Sequence, residues 1–177
     1  MTAVAERLVD AGLVAVEALG EAFTSITGRV VPYSAGYTDV GWFAERFERG
    51  AFTASLIQHP TTPLLLFHDG KTFPIGVAEA WDDRADGLHG QFRLAMSAVA
   101  QVAASYVRDG FMDGMSVGFS PIRSSWSYAA EWAPDLGLEH MDKVTRSEAR
   151  LHEVSLVSTP AYVDARVYHV SSTPLAA

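Results

Sequence analysis

The chain contains no cysteine, which removes disulfides, thiolate zinc sites and a cysteine nucleophile together and fits a reducing compartment. Positive charge is scarce: 13 Lys and Arg against 21 Asp and Glu leave a net charge of −8. No basic run occurs, so a nucleic-acid surface is disfavoured, because binding phosphates needs clustered Lys and Arg. Long apolar runs are missing too. The opening MTAVAERLVDAGLVAVEALGEAF is interrupted by Glu6, Asp10, Glu17 and Glu21, and its longest uncharged run is Ala11 to Val16. A membrane span needs ~20 apolar residues and a signal peptide needs a basic start. The expectation is an intracellular soluble protein, with no membrane partner and an acidic helical extension over residues 1–22. Also absent are a glycine-rich phosphate loop, an H-E-x-x-H zinc motif and internal repeats.

What is present suits one globular domain. Hydrophobic residues make up 49% of the 177 positions and charged ones 19%, enough for a substantial core. Strand signals dominate after the extension. Phe23 to Tyr33 reads as a strand closed by Pro32, and Pro63 to Phe67 and Pro74 to Trp81 read as two paired strands around the turn Asp69-Gly70-Lys71. In LHGQFRLAM, Leu88, Gly90, Phe92 and Leu94 alternate with His89, Gln91 and Arg93, as in a half-buried strand. LHEVSLV (Leu151 to Val157) and ARVYHV (Ala165 to Val170) complete the set. In VGWFAERFERGAF, aromatics and charges fall at helical spacing, with Gly50 as a stop. The clearest helix runs from Ala98 to Asp109, where Val99, Val102, Ala103, Tyr106 and Val107 form one apolar stripe. Ser97 can cap its start and Gly110 can end it. The polar and aromatic segment from Pro121 to Arg150 fits no element, and the tail after Val170 reads as flexible.

Gly114-Met115-Ser116-Val117-Gly118 matches G-x-S-x-G, the spacing of the α/β-hydrolase nucleophile elbow. That elbow has a strand before the serine and a helix after it; here a helix precedes and strand-like residues follow. The elbow is rejected, but Ser116 stays a candidate nucleophile. A serine becomes nucleophilic beside a base, which is itself oriented by a third group. His68 ends an apolar run next to a turn, where a side chain is held firmly yet reaches solvent. Glu153 sits inside an otherwise apolar strand, where a charge is costly unless it is paired or faces solvent from an edge. Strict alternation puts the neighbouring His152 on the opposite face, so only one of the two can serve. His59 and His68-Asp69 could ligate zinc, but no spacing defines a geometry, and Asp82, Asp83 and Asp86 fit a solvated turn. No metal or cofactor is expected.

Taken in order, GRVVPYSAGYTDVGWFAERFERGAF, LLLFHD, PIGVAEA, DGLHGQFRL, GFMDGMSVGF and LHEVSLVSTPAYVDARV resemble the prohead maturation proteases of tailed phages, relatives of the herpesvirus assemblins. The resemblance runs from about Gly28 to Val167. It implies an α+β, mainly β fold: a herpesvirus-protease-like β-barrel core surrounded by helices. The domain would cover residues 23–170, between the extension at 1–22 and the tail at 171–177. It further implies a serine endopeptidase with Ser116 as nucleophile, His68 as general base and Glu153 orienting His68. In the herpesvirus enzymes the third position is a histidine, which makes His152 a rival to Glu153. The loop Ser158 to Ala161 is the expected source of part of an oxyanion hole, except that Pro160 has no N–H to donate. Residues 121–150 would be a family-variable insertion. The implied substrates are the scaffolding segments of the major capsid protein and the protease itself, inside the immature capsid in the host cytoplasm. A homo-oligomer is implied as well, a dimer by the herpesvirus example. Two rival readings remain: an esterase-like hydrolase using Ser116 with Asp142 and His169, which needs parallel βαβ topology, and a catalytically silent capsid assembly protein.

Overall fold

The computed structural model describes residues 20–34 and 36–174. In chain order it contains β1 (Glu21–Pro32), β2 (Thr38–Asp39), β3 (Ala44–Phe47), α1 (Thr53–Gln58), β4 (Pro63–Leu66), β5 (Gly76–Arg84) and β6 (Gly87–Leu94). Then follow α2 (Ala98–Arg108), β7 (Gly114–Ser127), two short 3-10 turns at Pro134–Leu136 and Leu138–His140, β8 (Lys143–Val157) and β9 (Arg166–Pro174). All nine strands share one sheet, ordered β2-β3-β8-β4-β5-β6-β1-β9-β7. Because β7 also pairs with β8, the seven strands from β8 round to β7 close into a barrel. Closure removes the exposed edges that an open sheet would present. At the seam between β7 and β9, the Met115 N–H donates to the Ala165 carbonyl and the Val167 N–H to the Asp113 carbonyl, each at 2.8 Å.

The barrel interior is filled by the inward-facing members of the alternating strands. Phe23, Ile26, Leu64, Phe92, Met115, Val154 and Leu156 are all buried there. Strand β8 is the spine. It pairs antiparallel with β7 along one side, and on the other it runs parallel to β3 through Lys143–Arg146 and to β4 through Val154–Leu156. Where β3 meets β8, a buried ion pair replaces apolar contact. The Arg146 Nε donates to Glu45 Oε1 at 2.7 Å, and the Tyr162 hydroxyl donates to Glu45 Oε2 at 2.9 Å. Burial and the Glu45 carboxylate push the Tyr162 phenol well above its ordinary range, so it remains a donor.

Several expectations change. The segment VGWFAERFERGAF is not one helix: its middle is β3, and the helix, α1, begins only at Thr53. Ala44, Glu45 and Phe47 are buried by pairing and packing with β8, which overrides the helical spacing of their neighbours. The helices do not surround the barrel. Among the described residues there are two, α1 lying against β8 and α2 against β1 and β9. The segment 121–150 fits elements after all, being the outer half of the β7–β8 hairpin, paired from Pro121↔Ala149 out to Ser127↔Lys143. Its β7 half, Ser120–Ser127, is mostly exposed and lacks the apolar alternation of a barrel strand, whereas Val144 and Ala149 on the β8 half are buried. Of the extension expected at 1–22, residues 1–19 lie outside the described residues, while Glu21 and Ala22 already belong to β1. Ser171–Pro174, assigned to a tail, continue β9 and pair with β1 from Ser25 back to Glu21. Residues 175–177 lie outside the described residues. The strands are mostly antiparallel, with β3–β8 and β4–β8 the parallel pairs, so the βαβ topology that an esterase needs is missing from the described residues. Asp142 accepts from the Ala129 N–H at the far end of the hairpin, and His169 on β9 pairs with Thr27 on β1, so neither accompanies Ser116.

A Glu45→Ala substitution leaves the Arg146 guanidinium buried without its carboxylate. It should destabilise the fold by about 3–5 kcal/mol, read from a urea unfolding midpoint at unchanged slope.

Candidate active site

The site is assembled on the β4–β8–β7 side of the barrel. Across this part of the sheet Leu65 pairs with Ser155 and Ser155 with Ser116, so the serines of β8 and β7 are direct neighbours. Two residues further along, Gly118 stands opposite Glu153. Paired residues share a face and alternate residues along a strand return to it. Ser116, Gly118, Glu153 and Ser155 therefore line one surface, while Met115, Val154 and Leu156 face the core.

His68 reaches this surface from the end of β4. Its Nδ1 lies 2.6 Å from Glu153 Oε1. The other carboxylate oxygen, Oε2, accepts from the Ser155 hydroxyl at 2.7 Å, and the Ser155 oxygen accepts from the His68 backbone N–H at 3.0 Å. Ser155 is fully buried and thus fixes the carboxylate and the histidine backbone together. The histidine side chain keeps 42% of its surface exposed, against 13% for Glu153. Phe67 and His68 are the two non-glycine residues with left-handed backbone among those described, at φ +53° and +59°. Such conformations cost about 1–3 kcal/mol each and persist where their surroundings hold them, often at functional sites. Here the Phe67 N–H donates to the Leu156 carbonyl and the Asp69 N–H to the Leu66 carbonyl, holding the turn on both sides.

A glycine is needed opposite Glu153. A Cβ on Gly118 would collide with Glu153 Oε1 and come within 3.0 Å of Cδ and Cγ of the same side chain. The ladder also shifts at this point. Gly118 opposes Glu153 but Phe119 opposes Leu151, so His152 is the extra residue of a bulge. The bulge breaks the alternation that separated His152 from Glu153: Leu151 and Val154 both enter the core, and neither His152 nor Glu153 does. His152 Nε2 pairs instead with the Ser120 hydroxyl at 2.7 Å. Of the two rivals for the third position, Glu153 is the one touching His68. Nor is Glu153 on an edge strand, since β8 is flanked on both sides.

Ser116 is half-buried, in the body of β7 rather than on a strand-to-helix turn. Among the described residues no hydrogen bond joins it to His68, whose Nε2 is likewise without one. Pro160, in the loop after β8, packs onto Gly114, two residues before Ser116. Sequence reasoning missed Gly118, Ser155 and the Phe67 conformation. The first two were within reach, since each lies two positions from a candidate and so on its face. Phe67 carried no signal, because positive φ is ordinarily announced by Gly or Asn.

Ser116, His68 and Glu153 are the residue types that a serine nucleophile, its base and the group orienting that base require. The chain belongs to the Caudovirus prohead serine protease family, whose model matches residues 12–176. The match begins well before Gly28, where the visible resemblance starts, and takes in the hairpin at 121–150. No curated protein sequence matches the chain. Among solved structures, one similar fold is the crystal structure of KSHV protease in complex with a hexapeptide phosphonate inhibitor. It is 14% identical with a TM-score of 0.49, over 82% of this chain and 64% of that one.

Gly118→Ala should push the Glu153 carboxyl away from His68 while leaving the far-ultraviolet dichroism spectrum unchanged. Displacements of about 1 Å at a catalytic group cost on the order of 10²-fold, the loss in kcat/KM expected for this variant on a peptide substrate.

Proposed function

We propose that the protein is a serine endopeptidase that uses Ser116, His68 and Glu153 to cut the scaffolding segments of capsid proteins, and itself, during prohead maturation. The observation that carries this reading is the 2.6 Å contact from His68 Nδ1 to Glu153, made on the face that Ser116 shares. With Nδ1 committed to Glu153, the neutral ring presents Nε2 as the base. His68 Nε2 takes the Ser116 proton as Oγ attacks the scissile carbonyl, and it returns that proton to the leaving amine as the C–N bond breaks. A water, deprotonated by the same nitrogen, then releases the acyl group from Ser116 and restores the hydroxyl. Glu153 keeps the tautomer and stabilises the imidazolium, and Ser155 keeps Glu153 in place. Backbone N–H groups near Ser116, with the loop Ser158–Ala161 as the first candidate, would hold the oxyanion.

Family membership supports a role inside the immature capsid, where the substrate chains are concentrated. Flexible scaffolding segments suit an accessible site, and His68 is substantially exposed. The protein would act there as a homo-oligomer, a dimer being the first form to look for.

Co-expression with the capsid and scaffolding proteins encoded beside it tests the reading by intact-protein mass spectrometry. Wild type should truncate those chains at discrete sites, whereas Ser116→Ala and His68→Ala should not. Glu153→Gln, which favours the wrong histidine tautomer, should slow cleavage by roughly 10³–10⁴-fold. Identical masses in all assembled samples would instead leave a catalytically silent assembly protein.

A further inference from the structure

Helix α2 turns its small residues inward and several of its large ones outward. Ala100, Ala103, Ala104 and Val107 pack on the barrel, while Val99, Val102 and Tyr106 are 60%, 41% and 52% exposed. The single apolar stripe read from the sequence is thus only half used by the core. The uncovered half forms one wall of an apolar cavity of about 420 Å³. Leu66 and Phe67 form the facing wall, and Met112 closes it. A second hollow of about 750 Å³ shares Leu66, Phe67 and Val99 and continues to Phe73, with Asp69 and Lys71 at its rim.

Two wall residues of this trough lie next to the candidate site along the chain. Phe67 is bonded to His68, and its left-handed backbone leaves the ring 59% exposed beside the trough instead of in the core. Met112 lies four residues before Ser116 on the segment that enters β7. A peptide held at His68 passes within one residue of Phe67, a wall residue that both hollows share.

Resting on the peptidase reading, we infer that this trough is a substrate subsite. It takes a large aliphatic or aromatic side chain at one fixed position near the scissile bond, and Val99, Val102 and Tyr106 set that preference. An apolar side chain there is removed from water against apolar walls, so it should gain roughly 10–100-fold in kcat/KM over a polar one. The scaffolding substrate would thus be recognised by an apolar anchor beside each cut rather than by charge.

The test is digestion of a proteome-derived peptide library by the full chain, with cleavage sites mapped by mass spectrometry for wild type, Val102→Asp and the distant surface variant Leu136→Asp. Wild type and Leu136→Asp should share a large apolar residue at one position. Val102→Asp should lose that preference and accept Lys or Arg there, a switch that a merely damaged fold cannot produce. Cleavage by wild type without an apolar preference overturns the subsite and leaves the peptidase reading intact. So does a Val102→Asp variant that keeps the wild-type preference but changes the oligomeric mass, which would make the trough a contact between copies. Failure of wild type to cut any peptide overturns the peptidase reading, and the subsite falls with it.

Discussion

Glu153 is a carboxylate in the middle of an apolar barrel strand, and it is tolerable there only because both of its oxygens are used. A buried charge lacking partners costs several kcal/mol, so each neighbour of this group is under constraint. Oε1 needs the imidazole of His68, which must therefore leave β4 in a left-handed turn. Oε2 needs the hydroxyl of Ser155, which is buried one ladder step from Ser116. Gly118 faces it without a side chain, and a Cβ there would displace the carboxyl from its present position. A single charge thus accounts for a glycine, a serine and a strained turn on three different strands or strand ends.

The barrel supplies the rigidity that this arrangement needs. With β7 on one side and β4 on the other, β8 cannot slide without breaking two ladders at once. The bulge at His152 is the local adjustment that lets Glu153 face outward while Leu151 and Val154 stay in the core. Further out, the same β7–β8 pair continues as a hairpin whose β8 strand is flanked by β3. There it is held by the Glu45–Arg146 pair and by Trp126, whose ring lies against Phe43 and under the Arg146 guanidinium.

Much of this was legible in the sequence where local pattern and tertiary role agree. LHGQFRL alternates cleanly because one face of β6 is core, and Ser97 and Gly110 bracket α2 because a helix needs a cap and a stop. His68 and Glu153 could be singled out because each was a polar residue in an apolar run. What could not be read was set by partners distant in the chain. The segment around Ala44–Phe47 carries helical spacing, yet the parallel partner Lys143–Arg146, about a hundred residues later, makes it a strand. Nothing in LHEV marks a bulge, since the register shift is dictated by Gly118 and Phe119 across the ladder. In the outer hairpin the β7 residues Ser120–Ser127 are mostly exposed, so they carry no apolar alternation from which a strand could be read.

The proposed mechanism stands on Ser116 being the nucleophile that His68 activates. Labelling of the full chain with a serine-directed fluorophosphonate, followed by peptide mapping, tests this most directly. A single adduct on Ser116, lost in His68→Ala, is the expected result. An adduct on a different serine, or equal labelling of Ser116 with and without the His68 imidazole, would contradict it.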